Sequence, residues 1–490
     1  MKQKINLLSY LVLVMMLTLT GYAQDNTSLR IVRGKTDTVF ARSHFVIGVA
    51  EPGSNVYIND ILVKQYSTGS FGTELMLQHG DNPVVVRVVS GAKEVSDNFS
   101  VFYKQAPAPQ PVKTTHFNSP VVVTKKGAYL NSSSGADRLG GNKMNFLAEG
   151  IALELLGVEG NLYKVRLSEN RTAFIPRQFA DIAPFGQIPV TSISSSWSVT
   201  NAGNADRIRI ALENRQPYLI YRSVDPNQLV VELHGTFNNS NWITQYRNLN
   251  SIEHVHLNQI GSDVLQVVVS LKDKYSWGYS VDYVGNSLEI IVKHTPKVLY
   301  ERSRNPLAGL VIGLDAGHGG PANGAVSPSG IKEKDLNLDM VLALKEMIEK
   351  KGGKVVLSRS EDIDVPMQQR GEIFRNGKVD LMVSVHCNAG GNPLRPMGTS
   401  TYYRHIEYRP LAKTILNRLM DLEVGEFGLV GNFNFSMNAP TDFPTVLVET
   451  LFMSSLPDEE LLASPKFRRE MMEKVLFGLE EYISEVRKSL

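Results

Sequence analysis

The chain has 490 residues, 42% of them apolar, which is enough for three or four buried cores and too apolar for an unfolded polymer. Its 51 basic and 49 acidic groups nearly cancel, which argues against a nucleic-acid partner and against broad electrostatic adhesion to an anionic polymer. The single cysteine, Cys387, excludes an internal disulfide.

Residues 1–23 have the layout of a secretory signal peptide: Lys2 and Lys4, an apolar stretch over 7–19, then small residues around Gly21-Tyr-Ala23. The apolar run falls short of the roughly 20 residues a membrane span needs. No cysteine follows it to carry a lipid. The expectation is a periplasmic or secreted protein with no membrane span after signal removal.

Three β modules are predicted next. Residues 28–103 alternate apolar and polar positions between turn signals such as Pro52-Gly53 and Asn59-Asp60, the pattern of a small β-sandwich, and resemble an immunoglobulin-like module. Residues 104–118 hold Gln105-Ala-Pro-Ala-Pro-Gln-Pro111, a stiff proline-rich linker. Residues 119–183 are similar to SH3-like barrels, through Leu162-Tyr-Lys-Val-Arg-Leu167 and its neighbours. Residues 184–296 look like AMIN modules, through Leu265-Gln-Val-Val-Val-Ser-Leu271. These resemblances imply contacts with a bacterial wall; a plain spacer is the alternative for the SH3-like segment. His254 and His256 share one face of a strand but have no third ligand nearby, so they are read as structural.

From 306 to 490 strands alternate with helices, which predicts a C-terminal α/β domain with a mainly parallel twisted sheet flanked by helices. Leu336, Met340, Leu344 and Ile348 recur at helical spacing before Gly352-Gly353. Pro366 opens a helix carrying Arg370. One final helix is expected from about 458 to 488, with Leu461, Leu462, Met472, Leu476, Leu479 and Ile483 on its core stripe.

Within this domain Asp315-Ala-Gly-His318-Gly-Gly320 follows an apolar strand, and His386 ends the run Asp380-Leu-Met-Val-Ser-Val385. Glu333 stands where a glycine-rich loop becomes a helix, with Asp335 as a neighbouring alternative. Two imidazoles and a carboxylate are a ligand set for catalytic zinc with one position open. Glu449, closing Thr445-Val-Leu-Val-Glu449, is the candidate general base. The bland alternatives are a phosphate loop at 317–320, a first-turn helix acid at 333 and a core histidine at 386. Cys387 points away from its neighbour His386 and is read as a packed thiol. Asp315, Asn388 and Arg370 are candidates for orienting ligands or contacting substrate.

Four blocks in this order, Asp315-Ala-Gly-His-Gly-Gly320, Glu333-Lys-Asp-Leu-Asn-Leu338, Ser384-Val-His-Cys-Asn-Ala389 and Val446-Leu-Val-Glu-Thr-Leu-Phe-Met-Ser454, resemble the zinc-dependent N-acetylmuramoyl-L-alanine amidases called amidase 3. The resemblance implies Zn2+ held by His318, Glu333 and His386, Glu449 as catalytic carboxylate, and peptidoglycan as substrate. Ser454-Ser455 departs from the family's usual Ser-Asn. The interval from His386 to Glu449 is too short for the long blocking helix of some relatives, so the domain is expected to act without an activator. The alternatives are a zinc peptidase cutting stem peptides and a non-catalytic wall-binding or activator protein.

Overall fold

The computed structural model describes residues 28–105, 114–115, 121–135, 142–184, 186–301 and 303–490. Residues 1–23, expected to be a signal peptide, and most of the expected proline-rich linker lie outside the described residues. The chain divides into two compact units, 1–106 and 107–490.

The first unit has a three-stranded sheet, order Leu29–Arg33, Ser43–Ala50, Ser70–Met76, and a five-stranded sheet built around Gly80–Ser90 and Lys93–Tyr103. Val84, Val86 and Val88 point inward and are buried while Val85 between them is exposed, the period-two pattern of a half-buried strand. Val46, Val56, Phe71 and Val101 complete the core.

In the second unit, strands between 121 and 182 form one antiparallel sheet, and strands between 192 and 293 form two further sheets, one antiparallel and one mixed. The two segments share one continuous buried cluster running from Val122 to Val292. Asn145 Nδ2 donates to the Tyr218 carbonyl (3.0 Å), and the Glu169 N–H donates to Asp263 Oδ2 (2.8 Å). The two segments therefore share one core.

The α/β part begins with β1 (Val311–Ala316), then α1 (Glu333–Lys350), β2 (Lys354–Leu357), α2 (Met367–Asn376), β3 (Leu381–Asn388), β4 (Thr399–Tyr402), α3 (Arg409–Leu419), β5 (Glu426–Val430), β6 (Thr445–Phe452), α4 (Leu456–Ala463) and α5 (Pro465–Ser489). The sheet order is β2-β1-β3-β6-β4-β5, parallel except where β4 meets β6. β1, β3 and β6 are buried along nearly their whole length, as strands covered on both faces must be.

The predicted single C-terminal helix is two. The Ser464 side chain accepts a hydrogen bond from the Phe467 N–H and Pro465 occupies the first turn, so the chain caps and restarts there. Leu461, expected in the core stripe, is exposed on α4. β6 also runs three residues past Glu449, because Thr450-Leu-Phe452 remain buried and extended.

Candidate metal centre

β1 stops at Ala316, and the next two residues turn sharply, with His318 at φ +61°. A left-handed backbone at a residue with a Cβ costs roughly 1–2 kcal/mol, and two buried guanidinium groups hold it there. Arg370 donates to the carbonyls of His318 (2.6 Å), Ala316 (2.7 Å) and Val365 (2.8 Å). Arg359 donates to those of Ala316 (3.0 Å), Gly317 (3.0 Å) and Lys334 (2.7 Å). The segment after His318 does not enter a helix; the next one starts at Glu333, so the phosphate-loop alternative lacks its helix N-terminus.

Glu333 is the first residue of α1 and its carboxylate turns back toward β1. Its Oε2 lies 3.2 Å from His318 Nε2 and accepts from the Ala325 N–H at 2.8 Å. Its Oε1 lies 2.9 Å from His386 Nδ1 and accepts from Asn337 Nδ2 and the Cys387 N–H, both at 3.2 Å. Burial works to raise this carboxyl, but the hydrogen bonds from His318 and His386 outweigh it and hold Glu333 well below the usual carboxylate range. For His386, burial works to lower the pKa, while the hydrogen bond to Glu333 and the charges of Glu449, Glu333 and Asp315 raise it to about 9.

The ligand atoms of His318, Glu333 and His386 all lie within 4.8 Å of one another. The two rings sit edge to face, 5.1 Å between centroids. The backbone makes room for them: a Cβ at Gly317 would stand 2.2 Å from His386 Cε1, and one at Gly324 would stand 2.4 Å from Glu333 Oε2. Two imidazoles, one carboxylate and a cradle that a methyl group would fill match what a zinc ion requires. This is the one such group among the described residues. Asp335, the neighbouring acid, is exposed. His254 and His256 stack on each other on an edge strand, ring centroids 5.7 Å apart.

Glu449 is paired directly with His386 across the parallel strands β3 and β6, so the two side chains share a face. It is 6% exposed, and its Oε2 has no hydrogen-bond partner among the described residues. Burial pushes its carboxyl up, the His386 charge pulls it down and Glu333 pushes it up again, leaving it at about 8. A carboxyl poised there can both take and return a proton near neutral pH.

The three supporting candidates have other places. Asp315 is fully buried in an ion pair with Arg370 (2.8 Å) and accepts from Ser384 Oγ (2.7 Å). Arg370 is 1% exposed and faces the loop backbone, so it is no substrate contact in this structure. Asn388 donates to the Tyr402 hydroxyl (3.1 Å) and to none of the three clustered residues. The group that braces Glu333 is Asn337, one turn along α1, which also donates to the Gly317 carbonyl (3.3 Å). Its i+4 spacing from Glu333 was a usable signal; Arg359 had none. The Cys387 thiol is buried, against Thr450 Oγ1 at 3.2 Å, and burial pushes its pKa up. Ser454 and Ser455 order the loop after β6: Ser454 Oγ donates to the Gly390 carbonyl (2.7 Å), and Ser455 caps α4.

Residues 312–481 match the family described as N-acetylmuramoyl-L-alanine amidase, amidase 3. The N-acetylmuramoyl-L-alanine amidase AmiC of Neisseria meningitidis is 27% identical over 270 residues, 43% of this chain and 65% of that protein. An uncharacterised Bacillus subtilis protein, YqiI, is 30% identical over 186 residues, covering 37% of this chain and 88% of that one. Among solved structures, the catalytic domain of CwlV, an N-acetylmuramoyl-L-alanine amidase from Bacillus (Paenibacillus) polymyxa, aligns at 29% identity over 36% of this chain and 98% of its own, with a TM-score of 0.34. The chain spans 65% and 53% of the lengths of two AmiC proteins it matches, less than two thirds of either.

Proposed function

We propose, from the premise that this chain belongs to the amidase 3 family of N-acetylmuramoyl-L-alanine amidases, that it hydrolyses the amide between N-acetylmuramic acid and the L-alanine of the stem peptide in peptidoglycan. The observation that supports this most is the convergence of His318, Glu333 and His386 beside the buried Glu449. His318, Glu333 and His386 would hold Zn2+. When bound, zinc supplies Lewis acidity for the scissile carbonyl and for water.

The protein's own groups do the rest. Asn337 fixes the Glu333 carboxylate, and Arg359 and Arg370 fix the loop that presents His318. Glu449 takes a proton from the attacking water at Oε2 and returns it to the leaving amine nitrogen, which departs as the free amino group of L-alanine. Its burial supplies the pKa that both transfers need.

The chain between His386 and Glu449 is taken up by β4, α3, β5 and short 3-10 turns. No further helix stands there to cover the ligands, which supports activity without an activator. The β modules over 28–103, 119–183 and 184–296 are read as immunoglobulin-like, SH3-like and AMIN-like parts that hold the enzyme on the wall, in the periplasm or outside the cell. Dialysis against a chelator followed by stepwise addition of zinc tests the site. Activity on purified wall should vanish and return with one zinc per chain; activity untouched by chelation would remove the metal from the reading.

A further inference from the structure

A second site lies away from the metal ligands. A cavity of about 1150 Å³ opens where the three parts of the second unit meet, slightly larger than ordinary small-ligand pockets of about 300–1,000 Å³. The segment 121–182 contributes Lys143 and Phe146, the segment 192–293 contributes Arg222 and Tyr279, and the α/β part contributes Arg404 and Asn434. Its position follows from register. β4 runs antiparallel to β6, with Ser400 opposite Glu449 and Tyr402 opposite Leu447. Arg404, just past β4, therefore lies toward the opposite end of the sheet from the metal centre. None of the four metal-centre residues lines the cavity.

Its walls carry buried polar groups that are short of hydrogen-bond partners among the described residues. Asn434 is 6% exposed, and neither its amide nitrogen nor its oxygen has a partner among the described residues. Glu407, also lining the cavity, is 4% exposed; burial pushes its carboxyl pKa up, outweighing the Arg222 charge and the Tyr279 hydroxyl that lie beside it. Arg404 Nη2 is engaged by the Lys143 carbonyl (2.6 Å), but Nη1 is left over, as is Arg222 Nε. Such groups are unfavourable when buried and unmet.

Charge says what would meet them. Lys126, Lys143, Arg222 and Arg404 face Glu407 and Asp442, and Asp442 is already paired with Arg375 at 2.9 Å. The Lys143 ammonium sits over the Tyr129 and Phe146 rings, and burial and the nearby Arg404 push its pKa down to about 8. Crowded cations of this kind are relieved by an anion.

We propose that this cavity binds a short peptide bearing several carboxylates and a free amino terminus, the carboxylates on Arg222, Arg404 and Lys143 and the terminal ammonium on Glu407. A stem peptide freed by cutting at L-alanine has this chemistry; that identification rests on the proposed amidase reading, whereas the site itself does not. The cavity then retains product, or a peptide of the surrounding wall, and orients the enzyme.

The test is calorimetric titration of the full chain, with chelator present to silence the metal centre, using the tripeptide L-Ala-γ-D-Glu-meso-diaminopimelate. Saturable one-site binding is expected, weakened about tenfold or more by Glu407→Gln and by acetylation of the L-alanine amino group alone. Asn434→Asp, which adds a carboxylate to the wall, should weaken it too and serves if Glu407→Gln fails to fold. No binding, or binding indifferent to these changes, overturns the proposal. Wall digestion is scored separately: a chain that binds the tripeptide through Glu407 yet frees no stem peptide keeps this site and loses the amidase reading.

Discussion

Glu449 stands in register with His386 but bonds to none of the three clustered residues, so chemistry and metal retention are separable at this position. Glu449→Gln is expected to keep zinc at one per chain, read by elemental analysis, while hydrolysis falls about 10²–10⁴-fold. Loss of zinc together with activity would make Glu449 a ligand instead. Asn337→Leu is the converse case. It removes the brace on Glu333 while leaving all three ligand residues in place, and should cost about 10–100-fold in zinc affinity by competition with a chromophoric chelator. His318 and Glu333 were legible in the sequence because each sits at an abrupt change of pattern, from apolar strand to glycines or from loop to helix, and His386 and Glu449 because each is a polar residue following an apolar run. Asn337 and Arg359 were not singled out: an Asn inside a helix and an Arg after a short strand look like ordinary solvent-facing residues. Only the tertiary fold shows Asn337 fully buried and Arg359 3% exposed.

At the level of elements, the loop after β1 is held by α2 through Arg370, which donates four hydrogen bonds, to one carboxylate and three carbonyls. Arg370→Leu leaves Asp315 buried and unpaired, which should cost about 3–5 kcal/mol of stability in urea unfolding. Arg370→Lys should recover little of it, since a single ammonium cannot span four acceptors. A loss under about 1 kcal/mol would show that the pair is not what holds the loop. The α/β elements were largely readable from periodicity, as in α1, where Leu336, Met340, Leu344 and Ile348 are all buried. The break between α4 and α5 was missed although Ser464-Pro465 states it in local chemistry, because an apolar stripe continues across the cap. The extent of β6 beyond Glu449 depends on burial by neighbours, which the local pattern does not carry.

In the molecule as a whole, the sheets of 121–182 and 192–293 share one core, and the second segment meets the α/β part through the Tyr279 N–H on the Thr441 carbonyl (2.7 Å). A Cβ at Gly278 would stand 2.2 Å from the Asp442 carbonyl oxygen, so the backbones touch there. Strand patterns announce β modules but not which faces join, and this junction was invisible in the sequence. Joined cores also make stability a shared property, and His234 shows it. It is 1% exposed with neither ring nitrogen bonded; burial, then the Arg171 charge, lower its pKa to about 4. The unfolded chain takes up this proton near 6.5, so stability is intact above that pH and is lost progressively as pH falls toward 4. His234→Phe should therefore gain about 1–3 kcal/mol on the parent chain between pH 7.5 and pH 4.5 in chemical denaturation; an equal response to acid would show that the ring is protonated in the fold. The central claim, amide cleavage at L-alanine by the His318/Glu333/His386 centre with Glu449, is tested most directly by mass spectrometry of purified peptidoglycan digested with the zinc-loaded chain and with Glu449→Gln. Intact stem peptides beginning with a free L-alanine amino group, absent from the variant digest, are the predicted result; shortened stems still attached to muramic acid, or no released peptide at all, would contradict it.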